Sequence, residues 1–271
     1  GGGWFARVDV SRHDDFWAAV VAGFAEAASR RLSSGRTQAS TALLALAAQV
    51  SAEPAARLAV EALKASSGRT SALDLLLAML GAVEPKETPL WQDVARALAL
   101  CDSRNAEISS FAAAWLRGEA CDARRQSQLG FLAPSPAPSQ IARGVLWLLA
   151  RAGPTLIAFE GVDAGLADAE RGPAKLKALA SGLSALHEMK RRALTLVACQ
   201  EENWTALRRH KPLAAAFRPP RALPPIGSPN VVEHLIAARL APAYAQAGFA
   251  PPYASFPFTR AAVASLVGST P

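Results

Sequence analysis

Apolar positions recur at helical spacing along most of this chain, and three short stretches break the rhythm. The first, Trp4-Phe5-Ala6-Arg7-Val8-Asp9-Val10, alternates and then turns apolar, which predicts a strand. The second, Pro154-Thr155-Leu156-Ile157-Ala158-Phe159-Glu160-Gly161-Val162-Asp163, carries apolar and small residues straight into an acidic end. The third is Ala193-Leu194-Thr195-Leu196-Val197-Ala198-Cys199-Gln200. Runs of this kind, with no alternation, predict strands buried on both faces, as in parallel sheets sandwiched by helices.

The rest reads as helix. Ser11-Arg12-His13-Asp14-Asp15 offers a cap with acids for a helix over 16–32, on which Phe16, Val20, Phe24 and Ala27 share a face. Short alanine- and leucine-rich helices follow at about 37–50, 53–65, 71–83, 89–101 and 104–117, separated by Gly, Pro and Ser. Ala133-Pro134-Ser135-Pro136-Ala137-Pro138-Ser139 is an extended linker. Beyond it the pattern predicts helices at 139–152, 166–189, 202–210 and 229–247, with Pro257-Phe258-Thr259 opening a last one. The order is a β-α-β core interrupted early by a helical insertion and closed by helices. Ser-Ser-Gly-Arg-Thr occurs at 33–37 and again at 66–70, but the flanks do not repeat, so it marks two similar connecting loops.

Composition narrows the class. Of 271 residues, 51% are hydrophobic and 19% charged, which describes a folded chain. Arginines interrupt every apolar run before it reaches the length of a membrane span, and nothing at the start reads as a signal peptide. Three cysteines without metal spacing suit a reducing, cytoplasmic setting. The net charge of +7 comes from 23 Arg and only 6 Lys, scattered rather than striped, so it points to no nucleic-acid face of its own. The four histidines have no ligand-like spacing, and no Ser-His-Asp or Cys-His arrangement can be argued. The tryptophans fall within apolar helical patterns and read as core anchors.

The candidate chemistry lies at the strand ends. Carboxylates at the carboxyl end of a parallel strand stand where open α/β sheets bind ligands, and Glu160 and Asp163 occupy that place. The phosphate loop G-x-x-x-x-G-K-[ST] occurs nowhere in the sequence.

Several blocks in this order resemble a bacterial ATP-binding family of the AAA+/STAND type, near origin-recognition and transposition-regulator ATPases, with a likeness to the ATP-binding proteins of BREX-type phage-defence operons. The blocks are Trp4–Arg12, Ala114-Trp115-Leu116-Arg117-Gly118-Glu119, Leu129-Gly130-Phe131, the strands Leu156–Asp163 and Leu194–Gln200, and Asn230–Leu240. The resemblance implies a P-loop NTPase-like parallel sheet core. Its parts would be a core start at 1–35, a helical insertion and linker at 36–138, the remaining core at 139–227 and a helical lid at 228–271. It implies ATP and Mg2+ as cofactors, with Glu160 and Asp163 as the catalytic, magnesium-site acids of a Walker B strand. Gln200 takes the sensor-1 place, Arg239 the lid arginine, and Arg208 with Arg209 a finger reaching a neighbouring subunit. The implied partners are other subunits of a multi-protein complex that meets DNA through the complex, a homo-oligomer included.

The sequence departs from that pattern at Gly161, where a working site carries the glutamate that polarises water. Two readings of the missing phosphate loop stay open. Either it lies ahead of Trp4 in the parent gene, or the chain is a degenerate, non-hydrolysing member. Two further functions follow: a pseudo-ATPase scaffold, and a helical interaction module in which 37–152 does the binding.

Overall fold

The computed structural model describes residues 3–49, 88–103, 105–132, 136–168, 170–189 and 192–268. The expected helices at 53–65 and 71–83, and the second Ser-Ser-Gly-Arg-Thr loop, lie outside them. The chain is mixed α/β and divides into two compact units, 1–217 and 218–271.

The first unit is organised by a small parallel sheet of three strands, β1 (Trp4–Asp9), β2 (Thr155–Glu160) and β3 (Ala193–Val197), in that spatial order. Trp4 stands opposite Thr155 and Asp9 opposite Glu160, while Thr155 faces Ala193 and Phe159 faces Val197. All three carboxyl ends therefore lie at one edge of the unit. The strand positions match the expected ones closely; β2 stops at Glu160 and β3 at Val197 because each chain then turns into a helix.

Helices cover one face of this sheet. The helix α1 (Phe16–Ser29) starts at Asp15, whose carboxylate accepts the Ala18 amide at 2.8 Å. It lies so close to β1 that a methyl on Gly23 would reach the Arg7 carbonyl at 2.5 Å. Phe16 stacks on Phe159 of β2 with ring centres 5.7 Å apart. The same ring fills the space beside Gly182 of α8, the long helix Gly172–Met189 that leads to β3. Trp4, Ala6, Val8, Ile157 and Phe159 are all buried on this side.

The opposite face is the one departure from the expected burial. Phe5, Arg7, Leu156 and Ala158 are only half-buried, and on β3 Leu194 and Leu196 are 60% and 50% exposed. Instead of being sandwiched, the strands alternate, because among the described residues helices pack on one side.

The described helices between β1 and β2 belong to the same unit. They are α2 (Gln38–Gln49), α3 (Thr88–Leu100), α4 (Ala106–Leu116), α5 (Ala123–Gln128) and α6 (Pro138–Ala152). Tryptophans anchor them as expected: Trp91 and Trp115 are fully enclosed, Trp91 stacks on Trp147, and Arg151 lies over Trp147 at 3.7 Å. The block at 129–131 closes α5 against α3. Gly130 there is left-handed (φ 79°), and the Arg96 guanidinium sits where a side chain would have been.

After β2 come α7 (Val162–Leu166) and α8; after β3 come α9 (Glu201–Arg208) and the unexpected short helix α10 (Lys211–Ala216). The second unit holds α11 (Pro229–Ala247) and α12 (Arg260–Ser265) around Ile226, Val232 and Val263. Its aromatic side chains Tyr244, Phe249, Phe256 and Tyr253 touch in sequence. No helix among the described residues is long and apolar enough to cross a membrane.

Candidate functional site

The carboxyl ends of the three strands bring together Asp9, Ser11, Glu160, Gly161, Asp163, Gln200 and Asn203. Each is placed by a strand end or by the first turn after one. Parallel strands in register deliver their last residues to a common rim, which is why ligands of α/β sheets are found there.

Asp9 ends β1 and closes a tight turn over the following 3-10 turn. Its carboxylate accepts the Ser11 amide at 3.0 Å and the Ser11 hydroxyl at 2.6 Å, and it pairs with Arg12 at 2.8 Å. The Ser11 hydroxyl does most to hold the Asp9 carboxyl below the usual carboxylate range, with its amide, Arg12 and Arg7 adding to it against the upward push of partial burial.

Gly161 sits directly over this turn in the left-handed conformation (φ 71°, ψ 12°). A Cβ there would collide with the Asp9 carboxylate and approach the Ser11 hydroxyl at 3.0 Å. Two separate constraints, backbone angle and space, therefore require glycine at the place where the resemblance expects a glutamate.

The two acids singled out in the sequence are drawn to opposite sides. Glu160 turns toward β1 and pairs with Arg7 at 3.0 Å, both side chains about two-fifths exposed. The pairing follows from register and alternation, since residues 7 and 160 lie on the same open face of neighbouring strands. Asp163, in the first turn of α7, turns toward β3. One of its carboxylate oxygens accepts the Gln200 amide at 2.9 Å and the Asn203 side-chain amide at 2.6 Å. Asp163 thus ties the turn after β2 to the start of α9. Beside it, burial first and the Asp163 charge second push the Cys199 thiol up to about 11, which leaves it a protonated, unreactive group at neutral pH.

Gln200 enters this network through its backbone; its side chain is exposed and makes no capping bond to α9. Arg208 and Arg209 stand exposed at the end of α9, where positive charge complements the helix dipole. Arg239 belongs to the second unit, exposed in the middle of α11, which runs on to Ala247. The first-unit residues Glu160, Asp163 and Gln200 are brought to one rim; Arg208 and Arg209 lie a helix away.

As arranged, Glu160 and Asp163 are engaged by protein partners, and among the described residues no three His, Cys, Asp or Glu side chains gather into a metal set. The donor set therefore does not fit a magnesium ion held by these two acids in their present positions. Beside the rim a shallow cleft opens between the 3-10 turn, the start of α1 and α8. Its floor is apolar, with Phe16, Val162 and Leu179, and Lys175 pairs with Asp14 at its mouth at 3.0 Å.

Asp9, Ser11, Arg7 and Asn203 were not picked out in the sequence. Asp9 and Ser11 carry a readable signal, an Asp two residues before a Ser at a strand end, the pattern of a side-chain-closed turn. Arg7 and Asn203 carry none, because their roles depend on strand order and register.

The chain matches no protein-family model, no curated protein and no solved structure.

Proposed function

We propose that this chain is an ATP-binding subunit of the AAA+/STAND type, with a P-loop NTPase-like core. Nucleotide occupancy at the carboxyl ends of its strands would switch its assembly with other subunits of a DNA-associated, anti-phage complex. The observation that carries the reading is the Asp163 link. A single carboxylate couples the turn after the acid-ended central strand to the end of the neighbouring strand, so a ligand seated at that rim would move α7 and α9 together. Gln200, Arg208, Arg209 and Arg239 are the candidate nucleotide contacts of this reading.

A second reading, a non-hydrolysing pseudo-ATPase scaffold, is favoured by three observations. Gly161 supplies no base and its backbone admits no side chain, Glu160 is paired with Arg7, and the sequence holds no G-x-x-x-x-G-K-[ST] loop. Calorimetric titration of the protein at its native length with Mg-ATP separates the two. Binding that Asp163→Ala weakens at least tenfold is the result expected of the ATP-binding subunit. Absence of any heat would overturn that reading in favour of the scaffold. Binding with no release of phosphate would mean a switch worked by occupancy alone.

A further inference from the structure

The arginines form no stripe along the sequence, but the fold sorts them by what each one meets. In the first unit Arg7, Arg12, Arg30, Arg117, Arg125 and Arg171 each stand against a carboxylate. Arg31, Arg96 and Arg192 donate to backbone carbonyls. The corner where α9 ends and α10 begins is different. Arg208, Arg209 and Lys211 are exposed there, and among the described residues no acid or carbonyl holds any of them. Arg36, Arg124 and Lys177 are also exposed and unheld, but no other unheld cation adjoins them in the chain. Trp204, Leu207 and Leu213 are buried beneath the corner, and the His210 amide donates to the Leu207 carbonyl at 3.1 Å where one helix turns into the next. The dipole of α9 favours Arg208 and Arg209 at its carboxyl end. It does not account for Lys211, which opens α10, where a positive charge is unfavourable.

We infer that this corner binds the phosphate backbone of duplex DNA without regard to sequence. Backbone positions 208–211 span at most about 11 Å. Each DNA strand presents one phosphate per roughly 3.4 Å of helix axis, so the three cations can face two or three phosphates. Guanidinium suits the task because its planar fork meets two phosphate oxygens at once. The surroundings of the cations choose among anionic partners. Thr205, Pro212 and Ala215 are exposed beside them, and every large apolar residue of α9 and α10 is buried. A stable protein contact centres on apolar or aromatic anchors, and a membrane-surface helix sinks Trp, Phe or Leu into the bilayer. The corner offers neither, and it exposes no ring on which the bases of a single strand would stack. The site goes beyond the reading above, in which DNA is met through the complex, and it involves no nucleotide.

Fluorescence anisotropy of a labelled DNA duplex of arbitrary sequence, titrated with the full chain without ATP or magnesium, tests this. At about 50 mM salt, micromolar binding is expected, with a log–log salt slope of about −2.7 for three neutralised phosphates. Arg208→Gln combined with Arg209→Gln should weaken binding about tenfold and bring the slope to about −1. Lys211→Gln, which removes a cation the nucleotide reading does not use, should weaken it about threefold. Arg36→Gln combined with Arg124→Gln removes the same charge elsewhere and should cost less than about twofold. All five side chains are exposed, so thermal melts should stay unchanged. No binding by about 100 µM chain would overturn the proposal. So would an equal loss in the two double variants, which would trace binding to the net charge of the chain. Poly-glutamate bound as tightly, with the same dependence on Arg208 and Arg209, would overturn it in favour of an acidic protein. Because nucleotide is left out, the site can fail while Mg-ATP still binds, and the reverse.

Discussion

The two margins of the three-stranded sheet solve the same problem at different levels of the structure. At β1 the strand's outward backbone is closed from within by one buried glutamine, and a helix lies against its covered face at glycine distance. At β3 no further strand follows among the described residues, and Leu194 and Leu196 face water. The difference teaches that an edge can be ended by a single side chain when a helix start is at hand to carry it. Gln38 opens α2, and besides its two bonds to Phe5 it donates to the Ala27 carbonyl at 3.0 Å, so it ties β1, α1 and α2 together.

Substitutions can break or sharpen this contrast, and they should fall in a clear order. Gly23→Ala is expected to be the most damaging, because the added methyl meets the Arg7 carbonyl and the Val8 side chain, one of which is backbone and cannot swing aside. A loss of about 3 kcal/mol is expected in urea unfolding, the overpacking outweighing the gain in helix propensity. Gln38→Ala removes three hydrogen bonds from a buried site and leaves Phe5 backbone groups unmatched, and should cost about 2 kcal/mol by the same measurement. On the other margin, Leu194→Lys should change monomer stability by less than about 0.5 kcal/mol, since the side chain is already mostly solvated. A large loss there would show that β3 is covered and would erase the contrast.

The smallest effect is a pH dependence at the β1 rim. The Asp9 carboxyl is held below its ordinary value, so its contribution to stability is full above about pH 3.8 and is lost as pH falls through its lower folded-state value. Asp9→Asn should flatten that part of the acid-unfolding curve and leave neutral-pH behaviour nearly unchanged.

Much of the fold was legible in the chain. Three breaks in helical periodicity located the three strands, and α6 and α11 begin and end where proline, glycine and serine predict. What failed was the inference from unbroken apolar runs to strands covered on both faces. Leu194-Thr195-Leu196 looks the same in sequence whether a helix lies over its leucines or not, because coverage is a property of neighbours. The rim was half legible. Glu160 and Asp163 stood out as acids at a strand end, but their partners could not be read. Arg7 meets Glu160 only through the parallel register, and Asn203 meets Asp163 only because β3 follows β2 in space. Gly161 reads in sequence as a missing glutamate; its left-handed backbone turns that absence into a geometric requirement.

The contact of Gly161 with Asp9 and Ser11 also bears on how such a chain can change over generations. Position 161 is shut to any side chain for as long as an aspartate closes the turn beneath it, so a single codon change there meets both a twisted backbone and an occupied space. Residues 9, 11 and 161 are therefore expected to change together, if at all. Lineages that place a side chain at 161 should be found to have first shortened or moved the acid at 9.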